Sequence, residues 1–342
     1  MKTFIPKAYK STLDLWETEH AIKLLKDTFQ LEMSSMLKLR RITAPIIVKG
    51  GEGINDNLSG VEQPVHFENK YINSERIEIV QSLAKWKRYA LYRHNIQVGM
   101  GIYTDMNAIR ACEEPDNLHS LYVDQWDWEK VIDSTSLDLL YSTVKEIYSV
   151  IRGTQFLLSE QYPQLQLFLP ENIKFIHSEE LLKKYPNSTP SEREDKITEK
   201  YGAVFLRGIG GKLSDGSIHD DRAADYDDWS SKTPDGLFGL NGDILIWNPI
   251  LKKAFEISSM GIRVSPDSLK RQLKIKGEEA KESLYFHKLL LDGKLPQTIG
   301  GGIGQSRLCM LLLQKCHIGE VQSSIWDDNT LNLCREKNVF LM

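Results

Sequence analysis

Residues 296–308, with the sequence PQTIGGGIGQSRL, join a glycine-rich segment to an apolar stretch of helical character. Glycines let a backbone approach a phosphate or an adenine closely, and the start of a helix adds partial positive charge. Arg307 follows the last glycine by three residues, so it falls on the first helical turn, where its fork of donors suits an anion. The segment matches neither a dinucleotide-binding fingerprint nor a P-loop. We expect a glycine loop that leads into a helix, and both a phosphate site and a plain tight turn stay open here.

A second segment, residues 254–264 with the sequence AFEISSMGIRV, has the alternation of a strand. That alternation predicts Glu256 and Ser258 on one face, with Arg263 further along. Mg²⁺ binds through one or two carboxylates plus substrate phosphates, so Glu256 and Asp243, in NGDILIW, are candidate ligands. Taken alone, each acid is more often a solvated or ion-paired side chain.

Hydrophobic periodicity predicts the N-terminal elements. A helix is expected over residues 20–39, with a buried stripe formed by Ile22, Leu25, Phe29, Met33 and Met36. A strand is expected over residues 41–48, and because Pro45 cannot donate to a ladder, this strand should lie at a sheet edge or a subunit contact. Residues 50–60, GGEGINDNLSG, predict a turn-rich loop.

The middle of the chain predicts a strand from Arg76, a helix capped by Ser82, a strand over residues 121–129 and a long helix over residues 137–162. Further strands are expected at residues 203–207, 243–247 and 254–258.

Local signals also mark helix ends. Ser191 with Glu194 fits a capping box, and Gly202 is suited to end that helix. Ser265 before a proline predicts a cap and first turn, and Gly277 predicts a break in the helical region that follows.

These elements predict an α/β (α+β) fold, with a mixed and mainly antiparallel sheet flanked by helices. No internal repeat, low-complexity segment or linker divides the sequence. The length of 342 residues fits about two domains or one large unit, and both stay open here.

The composition limits the classes of partner. Lys and Arg number 43 against 47 Asp and Glu, and the net charge of -4 gives no general attraction to a polyanion. The four cysteines include no CxxC pair, which indicates reduced thiols, and Cys309 and Cys316 are expected to be buried. No signal peptide and no stretch of roughly 20 apolar residues is present. We expect a soluble cytoplasmic protein that binds no nucleic acid and no membrane.

Several other side chains could take part in chemistry, but we expect them to have structural roles. The acidic run at residues 219–229, HDDRAADYDDW, is expected to be a solvated loop. Lys85 and Lys87 are two residues apart on a helix, so at most one of them should face a site. Trp126 and Trp128 are expected in the core.

At IGGGIGQSRL and FEISSMGIRV the chain resembles the ATP-site segments of class II aminoacyl-tRNA synthetases, above all those for aspartate and asparagine. Other stretches are similar to a narrower family, the ammonia-dependent asparagine synthetases: DNLSG, QSLAKWKR, YVDQWDWE, GIGGKLSDG, DYDDWS and GLNGDI. The resemblance covers nearly the whole chain. It implies a class II synthetase-like catalytic core in one domain, residues 1–342.

The resemblance also implies a reaction. ATP and L-aspartate form a β-aspartyl-adenylate, pyrophosphate leaves, and ammonia then displaces AMP to give L-asparagine. Pro45 resembles the proline at the dimer interface of class II synthetases, so a homodimer through the helix and strand at about residues 20–48 is expected.

By motif position the resemblance assigns residues to roles. The catalytic group consists of Asp56 as the base toward ammonium, Arg110 at the α-phosphate and Gln125 at the carbonyl. The residues expected to bind aspartate are Ser82, Lys87, Asp127, Ser259 and Arg263. Those expected to bind ATP are Arg110, Glu256, Ser258, Gly302 and Arg307, and those expected to bind Mg²⁺ are Asp243 and Glu256.

Three rival functions are weighed against this one. A glutamine-dependent synthetase commonly uses an N-terminal cysteine after removal of Met, whereas residue 2 is lysine. A synthetase that passes its adenylate to tRNA is disfavoured by the acidic charge and by the expected absence of an anticodon-binding domain. A non-catalytic sensor of aspartate or ATP is disfavoured because Asp56, Arg110, Gln125 and Arg307 all stand at their motif positions.

Overall fold

The structure, a computed structural model, describes residues 3–56, 58, 62–72 and 75–342. Its strands are Leu39–Arg41 (β1), Ile47–Lys49 (β2), His66–Glu68 (β3), Arg76–Ile79 (β4), Gly101–Ile109 (β5), Tyr122–Val131 (β6), Lys174–His177 (β7), Ala203–Arg207 (β8), Asn241–Asn248 (β9), Lys253–Ile262 (β10) and Thr298–Gly304 (β11).

Its α-helices are Leu15–Leu37 (α1), Ala84–Arg93 (α2), Leu137–Gln161 (α3), Ser178–Lys184 (α4), Pro190–Tyr201 (α5), Pro266–Lys276 (α6), Tyr285–Leu291 (α7), Gln305–Leu312 (α8) and Asp328–Glu336 (α9). Short 3₁₀ turns cover Glu279–Ser283 and Ile318–Glu320. Within the described part of the chain, no helix is both long and apolar enough to cross a membrane.

One large sheet organises the fold. In the described residues its strand order is β1-β5-β6-β11-β10-β9-β8-β7. The outermost pairs, β1 with β5 and β7 with β8, are parallel, and every pair between them is antiparallel. The expected mixed and mainly antiparallel sheet is therefore confirmed. A smaller antiparallel sheet has the order β2-β4-β3.

The two faces of β6 separate core from site. Trp126 and Trp128 point into the main hydrophobic core, and Trp126 lies 4.7 Å from Phe29 of α1, measured between ring centroids. The alternate residues Gln125 and Asp127 face the opposite side, where they line a cleft. Strand alternation thus confirms the two tryptophans as core residues and puts polar chemistry on the other face.

The glycine segment is a central strand rather than the expected loop. β11 pairs with β6 on one side and with β10 on the other. A Cβ at Gly300 would clash with the Glu129 carboxylate, and one at Gly302 would clash with the Gln125 amide. The glycines are therefore required for space on the cleft face of the sheet.

The N-terminal predictions need two corrections. Helix α1 begins at Leu15, where Asp14 and Glu17 form a capping box, and Met36 is 45% exposed rather than part of the buried stripe. The single strand expected over residues 41–48 is two strands, β1 and β2, which belong to different sheets. β1 lies at the edge of the large sheet, but Pro45 is in the segment between β1 and β2 and in neither strand. Of the loop expected at residues 50–60, positions 57, 59 and 60 lie outside the described residues.

Helix ends agree with the sequence in three places and differ in two. Ser265 caps α6, and Gly277 and Gly202 end α6 and α5. The capping box of α5 is Thr189 with Glu192, two residues earlier than predicted. At α2, the cap position is held by Leu83, and the Ser82 hydroxyl accepts a hydrogen bond from the Ala84 amide at 3.1 Å.

The expectation of no internal repeat is wrong, because two seven-residue segments are similar in sequence and in local structure. Residues 212–218, KLSDGSI, and 232–238, KTPDGLF, both fold as tight hairpins. In each, the first and last residues form an isolated bridge, and Gly216 and Gly236 have positive φ angles of 82° and 83°. Glycine adopts this conformation without steric cost, which explains the shared Asp-Gly pair.

Candidate active site

A cleft of about 460 Å³ lies on the polar face of the large sheet. Its lining includes eleven of the thirteen residues predicted for the site: Asp56, Ser82, Lys87, Arg110, Gln125, Asp127, Glu256, Ser259, Arg263, Gly302 and Arg307. The two exceptions are Ser258 and Asp243. Residues from distant parts of the sequence thus meet in one place.

A β-bulge explains why Ser258 is not in the lining. The pairing of β10 with β9 shifts register between Glu256 and Ser258, which places Ile257 as an extra residue. The bulge reverses the alternation, so Ser259 lines the cleft while the Ser258 hydroxyl is buried without a hydrogen-bond partner in the described structure. The predicted shared face of Glu256 and Ser258 is therefore wrong, because a bulge changes which side chains share a face.

The floor of the cleft is formed where β6, β11 and β10 run side by side. Gly302 stands directly between Asp127 of β6 and Ser259 of β10 in the strand register. Because Gly302 carries no side chain, groups on the two outer strands can approach one another and a ligand above the floor. Gly302 belongs to the floor through this missing side chain rather than through a phosphate-binding loop.

Two arginines line the cleft from different elements. Arg110 follows β5, and its Nε has no hydrogen-bond partner among the described residues although it is buried. Arg307 lies on the first turn of α8, where its Nη1 is 3.3 Å from the Glu256 carboxylate. Arginine guanidinium groups suit phosphate oxygens through paired donors, so the cleft has fixed positive charge for an anionic ligand.

Asp243 lies on β9 directly across from Ser259 of β10. Its Oδ2 accepts a hydrogen bond from Arg222 at 2.6 Å, and its buried Oδ1 has no partner in the described residues. Burial raises the pKa of Asp243 to about 8, with Arg222 opposing and Glu256 reinforcing the shift. In the part of the chain that is described, no group of three or more His, Cys, Asp or Glu is arranged to hold a metal. Further ligands would have to come from a substrate, as Mg²⁺ commonly requires.

A chain of ion pairs covers the part of the cleft near the sheet centre. Lys87 contacts the Asp127 carboxylate and donates to the Gly301 carbonyl at 2.8 Å. Arg263 is held between Glu129, at 2.8 Å, and Asp227. All these side chains are buried, so charges of both signs are fixed before any ligand arrives.

Asp56 lies on the loop after β2 and is only 2% exposed. The Gln81 amide donates to the Asp56 carbonyl at 2.9 Å, which fixes the backbone beside β4. Burial raises the pKa of Asp56 to about 6, although Lys85 acts in the opposite direction. Its carboxylate is therefore ionised at neutral pH and still basic enough to accept a proton.

The acidic run was misjudged from sequence. Asp220 and Asp221 are exposed, but Arg222 is only 13% exposed where it lines the cleft, and Asp225 and Asp227 are buried. The expectation that at most one of Lys85 and Lys87 faces the site agrees with the structure, because Lys87 lines the cleft and Lys85 does not. Lys85 is buried, 3.0 Å from Asp225 and 3.9 Å from Asp56. Arg222, a cationic residue among five acids, is the feature of the sequence that could have indicated ion pairs rather than a solvated loop.

Comparisons with known proteins agree with this geometry. The sequence pattern of a family described as aspartate-ammonia ligase matches residues 16–338. The chain belongs to the aspartate-ammonia ligase family. The Parabacteroides distasonis aspartate–ammonia ligase is 54% identical over 339 residues, 98% of each chain. The Clostridium perfringens enzyme of the same name is 52% identical over 343 residues, covering 100% of this chain and 99% of the relative.

Solved structures of other proteins share the fold of this aspartate-ammonia ligase family member. Asparaginyl-tRNA synthetase from Pyrococcus horikoshii, complexed with asparaginyl-adenylate, gives a TM-score of 0.64 at 17% identity over 89% of this chain and 68% of that one. Aspartyl-tRNA synthetase from Entamoeba histolytica gives 0.60 at 16% identity over 91% and 58%. The fold is that of the class II aminoacyl-tRNA synthetase catalytic core, as the resemblance implied.

Proposed function

We propose that this cleft joins ammonia to the β-carboxylate of L-aspartate at the expense of ATP, through a β-aspartyl-adenylate. One observation carries the proposal: a single cleft is lined by two arginines suited to phosphate, by the buried Lys87–Asp127 pair and by the basic carboxylate of Asp56. Aspartate carries one ammonium and two carboxylates, so a pocket with fixed charges of both signs suits it.

In the first step, an oxygen of the aspartate β-carboxylate attacks the α-phosphorus of ATP. A new P–O bond forms, the bond to pyrophosphate breaks, and pyrophosphate leaves with the electron pair. Negative charge gathers around the α-phosphate, and Arg110 and Arg307 are the fixed cations assigned to it. Donors held in place before the reaction stabilise such charge without reorganising.

The aspartate itself is assigned to the paired charges of the floor. Lys87 and Arg263 would attract its carboxylates, while Asp127 would attract its ammonium group. Ser82 and Ser259 provide hydroxyls at the edges of the same cleft. Arg263 is already bound by two acids, so its positive charge toward substrate is reduced, and we assign Lys87 the larger share of carboxylate binding.

Mg²⁺ fits the carboxylates of Asp243 and Glu256, because the buried Oδ1 of Asp243 lacks a partner among the described residues. When bound, the ion would neutralise charge on the ATP phosphates. Arg222 would keep Asp243 oriented in its absence.

In the second step, an ammonium ion gives one proton to the Asp56 carboxylate. The nitrogen lone pair attacks the β-carbonyl carbon, a C–N bond forms, and AMP leaves with the electrons of the broken C–O bond. The new amide nitrogen loses its second proton to solvent. Gln125, beside Gly302 on the floor, is assigned to orient the carbonyl under attack.

The test is to give purified protein ATP, Mg²⁺ and aspartate, with ammonium, with glutamine, or with neither, and to identify the products. We expect asparagine and AMP only with ammonium. D56N should keep pyrophosphate–ATP exchange and lose amide formation by about 10²- to 10⁴-fold, as expected for a missing general base. Equal turnover with glutamine, or transfer of the adenylate to tRNA, would overturn the proposal.

We also propose that the enzyme is a homodimer formed through α1 and the chain near β2. Apolar side chains there are exposed in the single chain: Leu31 at 65%, Met36 at 45%, Ile46 at 58% and Ile47 at 47%. Several large apolar side chains left exposed on neighbouring parts of the sequence are typical of a surface that a partner covers. L31D should convert a dimer into a monomer in sedimentation, and L167D, at a 59% exposed leucine outside this segment, is the matched control.

We propose a cytoplasmic location because the cysteines form no disulfide bonds among the described residues. Cys112, Cys309, Cys316 and Cys334 are free thiols, and such residues persist in a reducing compartment.

A further inference from the structure

Asp56 shares its nearest cation with a second buried carboxylate that has no role in the reaction described above. The Lys85 ammonium lies 3.0 Å from Asp225 Oδ2 and 3.9 Å from Asp56 Oδ1. All three side chains are at most 5% exposed. Lys85 therefore pairs mainly with Asp225, and its interaction with Asp56 is the weaker of the two.

His287 of α7 holds the second carboxylate in place. Its Nε2 lies 2.9 Å from Asp225 Oδ2, the same oxygen that accepts from Lys85, and the ring is fully buried. Asp225 Oδ1 and His287 Nδ1 have no partners in the described part of the chain. One oxygen of Asp225 thus receives both donors, which fixes the position of the Lys85 ammonium between the two acids.

The same helix also fixes the loop that carries Asp56. The Phe286 amide donates to the Glu52 carbonyl at 3.1 Å. A Cβ at Gly53 would come within 2.9 Å of His287 Nδ1, so loop and imidazole are in close contact. His287 therefore lies against both Asp225 and the loop that carries Asp56.

We propose that Lys85, Asp225 and His287 are positioning residues that hold Asp56 as the proton acceptor for ammonium; this inference rests on the function proposed above. Lys85 and the two acids together carry one net negative charge. That charge is buried next to the cleft and attracts a small cation. Because Lys85 is anchored to Asp225, it cannot neutralise Asp56 fully, and Asp56 retains its basicity.

The charged surroundings support this division of roles. Burial raises the pKa of Asp56 to about 6. Burial also acts to raise the pKa of Asp225, but Lys85 and His287 outweigh it and hold that pKa far below its usual range. The titratable and charged groups that face this cluster are Arg110, Tyr226, Glu278 and Lys281.

The two neighbours of Asp56 act on it with opposite signs, which gives a sharp test. D225N removes a negative charge and frees Lys85 to approach Asp56, so the pKa of Asp56 falls. K85M removes the cation, so that pKa rises. In single-turnover amide formation from preformed adenylate, the acidic limb of the pH–rate profile should move by about one unit, downward in D225N and upward in K85M.

Conservative variants separate positioning from simple packing. K85R keeps the charge and should keep the limb near its wild-type pH, and K85M/D225N removes both charges and should bring it back toward wild type. H287Q retains a donor to Asp225 and should shift the limb little, whereas H287A should slow amide formation. H219Q is the matched control, because His219 is also fully buried and lies 2.9 Å from a carboxylate, that of Glu194.

Melting temperature and pyrophosphate–ATP exchange accompany each variant. A limb that stays fixed, or that moves the same way in D225N and K85M, overturns the inference, as does an equal loss of exchange and amide formation. If either single variant is unfolded, the test is made on folded K85M/D225N. An acidic limb of its pH–rate profile at the wild-type pH supports the inference, and a limb at a different pH overturns it. Absence of asparagine formation by the wild type would instead refute the proposed function.

Discussion

Arg222 Nη2 lies 2.6 Å from Asp243 Oδ2, and the two side chains are 13% and 7% exposed. Arg222 also contacts Asp220 and lines the cleft, so it bridges a loop and the strand that carries the proposed Mg²⁺ ligand. Removing it takes away the cation that favours the ionised form of buried Asp243, so the pKa of Asp243 rises further and less of the Mg²⁺-binding carboxylate is present.

R222M is therefore expected to slow pyrophosphate–ATP exchange by about 10- to 100-fold, the usual cost of losing a group that orients a metal ligand. R222K should lose less, because it keeps the positive charge. R271M is the control, since Arg271 binds only the hydroxyls of Ser230 and Ser231 among its described hydrogen bonds. Unchanged exchange in R222M would contradict the assignment.

Gly302 and Gly300 should respond differently to an added methyl group. At Gly302 the new Cβ meets the movable end of Gln125, so G302A should lower amide formation more than stability. At Gly300 it meets the buried Glu129–Arg263 pair, so G300A should destabilise the fold by about 3 kcal/mol or more.

G153A is the control for these two glycine variants. Gly153 is exposed within α3 with open space around it, and alanine there should stabilise by about 0.5–1 kcal/mol. Urea unfolding and the two partial reactions measure all three variants. If G300A and G302A lost stability and activity in the same proportion, the separate roles of Gly302 at the cleft floor and Gly300 beside the ion pair would be contradicted.

The bulge at Ile257 predicts opposite behaviour for two adjacent serines. S259A should raise the KM for aspartate about tenfold, because a hydroxyl that lines the cleft is lost. S258A should leave kinetics unchanged and slightly increase stability, because its buried hydroxyl has no partner among the described groups. A larger kinetic effect from S258A would show that the bulge is absent in solution.

His317 predicts an acid-dependent loss of stability. The ring is buried, its Nδ1 accepts from the Gly319 amide at 3.0 Å, and burial lowers the pKa of His317 to about 4. A histidine in an unfolded chain has a pKa of about 6.5, so this stability is complete above pH 6.5 and is lost as pH falls toward 4. Between pH 7.5 and 5 the loss is about 2 kcal/mol.

H317N keeps a capping acceptor and removes the titration. We therefore expect wild type to lose about 2 kcal/mol more unfolding free energy than H317N over that interval, measured by urea at each pH. Identical pH slopes in the two proteins would contradict the assignment to His317.

Much of the fold was predictable because its signals are local. The alternation of β6, the period of α3 and the caps at Ser265 and Gly277 depend on residues close in sequence. Eleven of the thirteen predicted site residues line the cleft, but they came from motif positions rather than from periodicity.

The failures share a non-local cause. Glycines were interpreted through their backbone freedom, whereas β11 needs them because side chains from another strand occupy the space. Lys85 and Asp225 are 140 positions apart, so nothing near either one indicated that they pair. The bulge in β10 depends on its register with β9, which no single segment specifies.

The central position of β11 also affects how the protein is made. Residues 298–304 are synthesised after both of their neighbours in the sheet, and until then β6 and β10 each have an unpaired edge at the middle of the sheet. Unpaired strand edges in partly synthesised chains are prone to aggregation, so the nascent protein depends on rapid completion or on chaperones. The two walls of the cleft are joined only when β11 is inserted between β6 and β10, so a chain without residues 298–304 has no complete cleft floor.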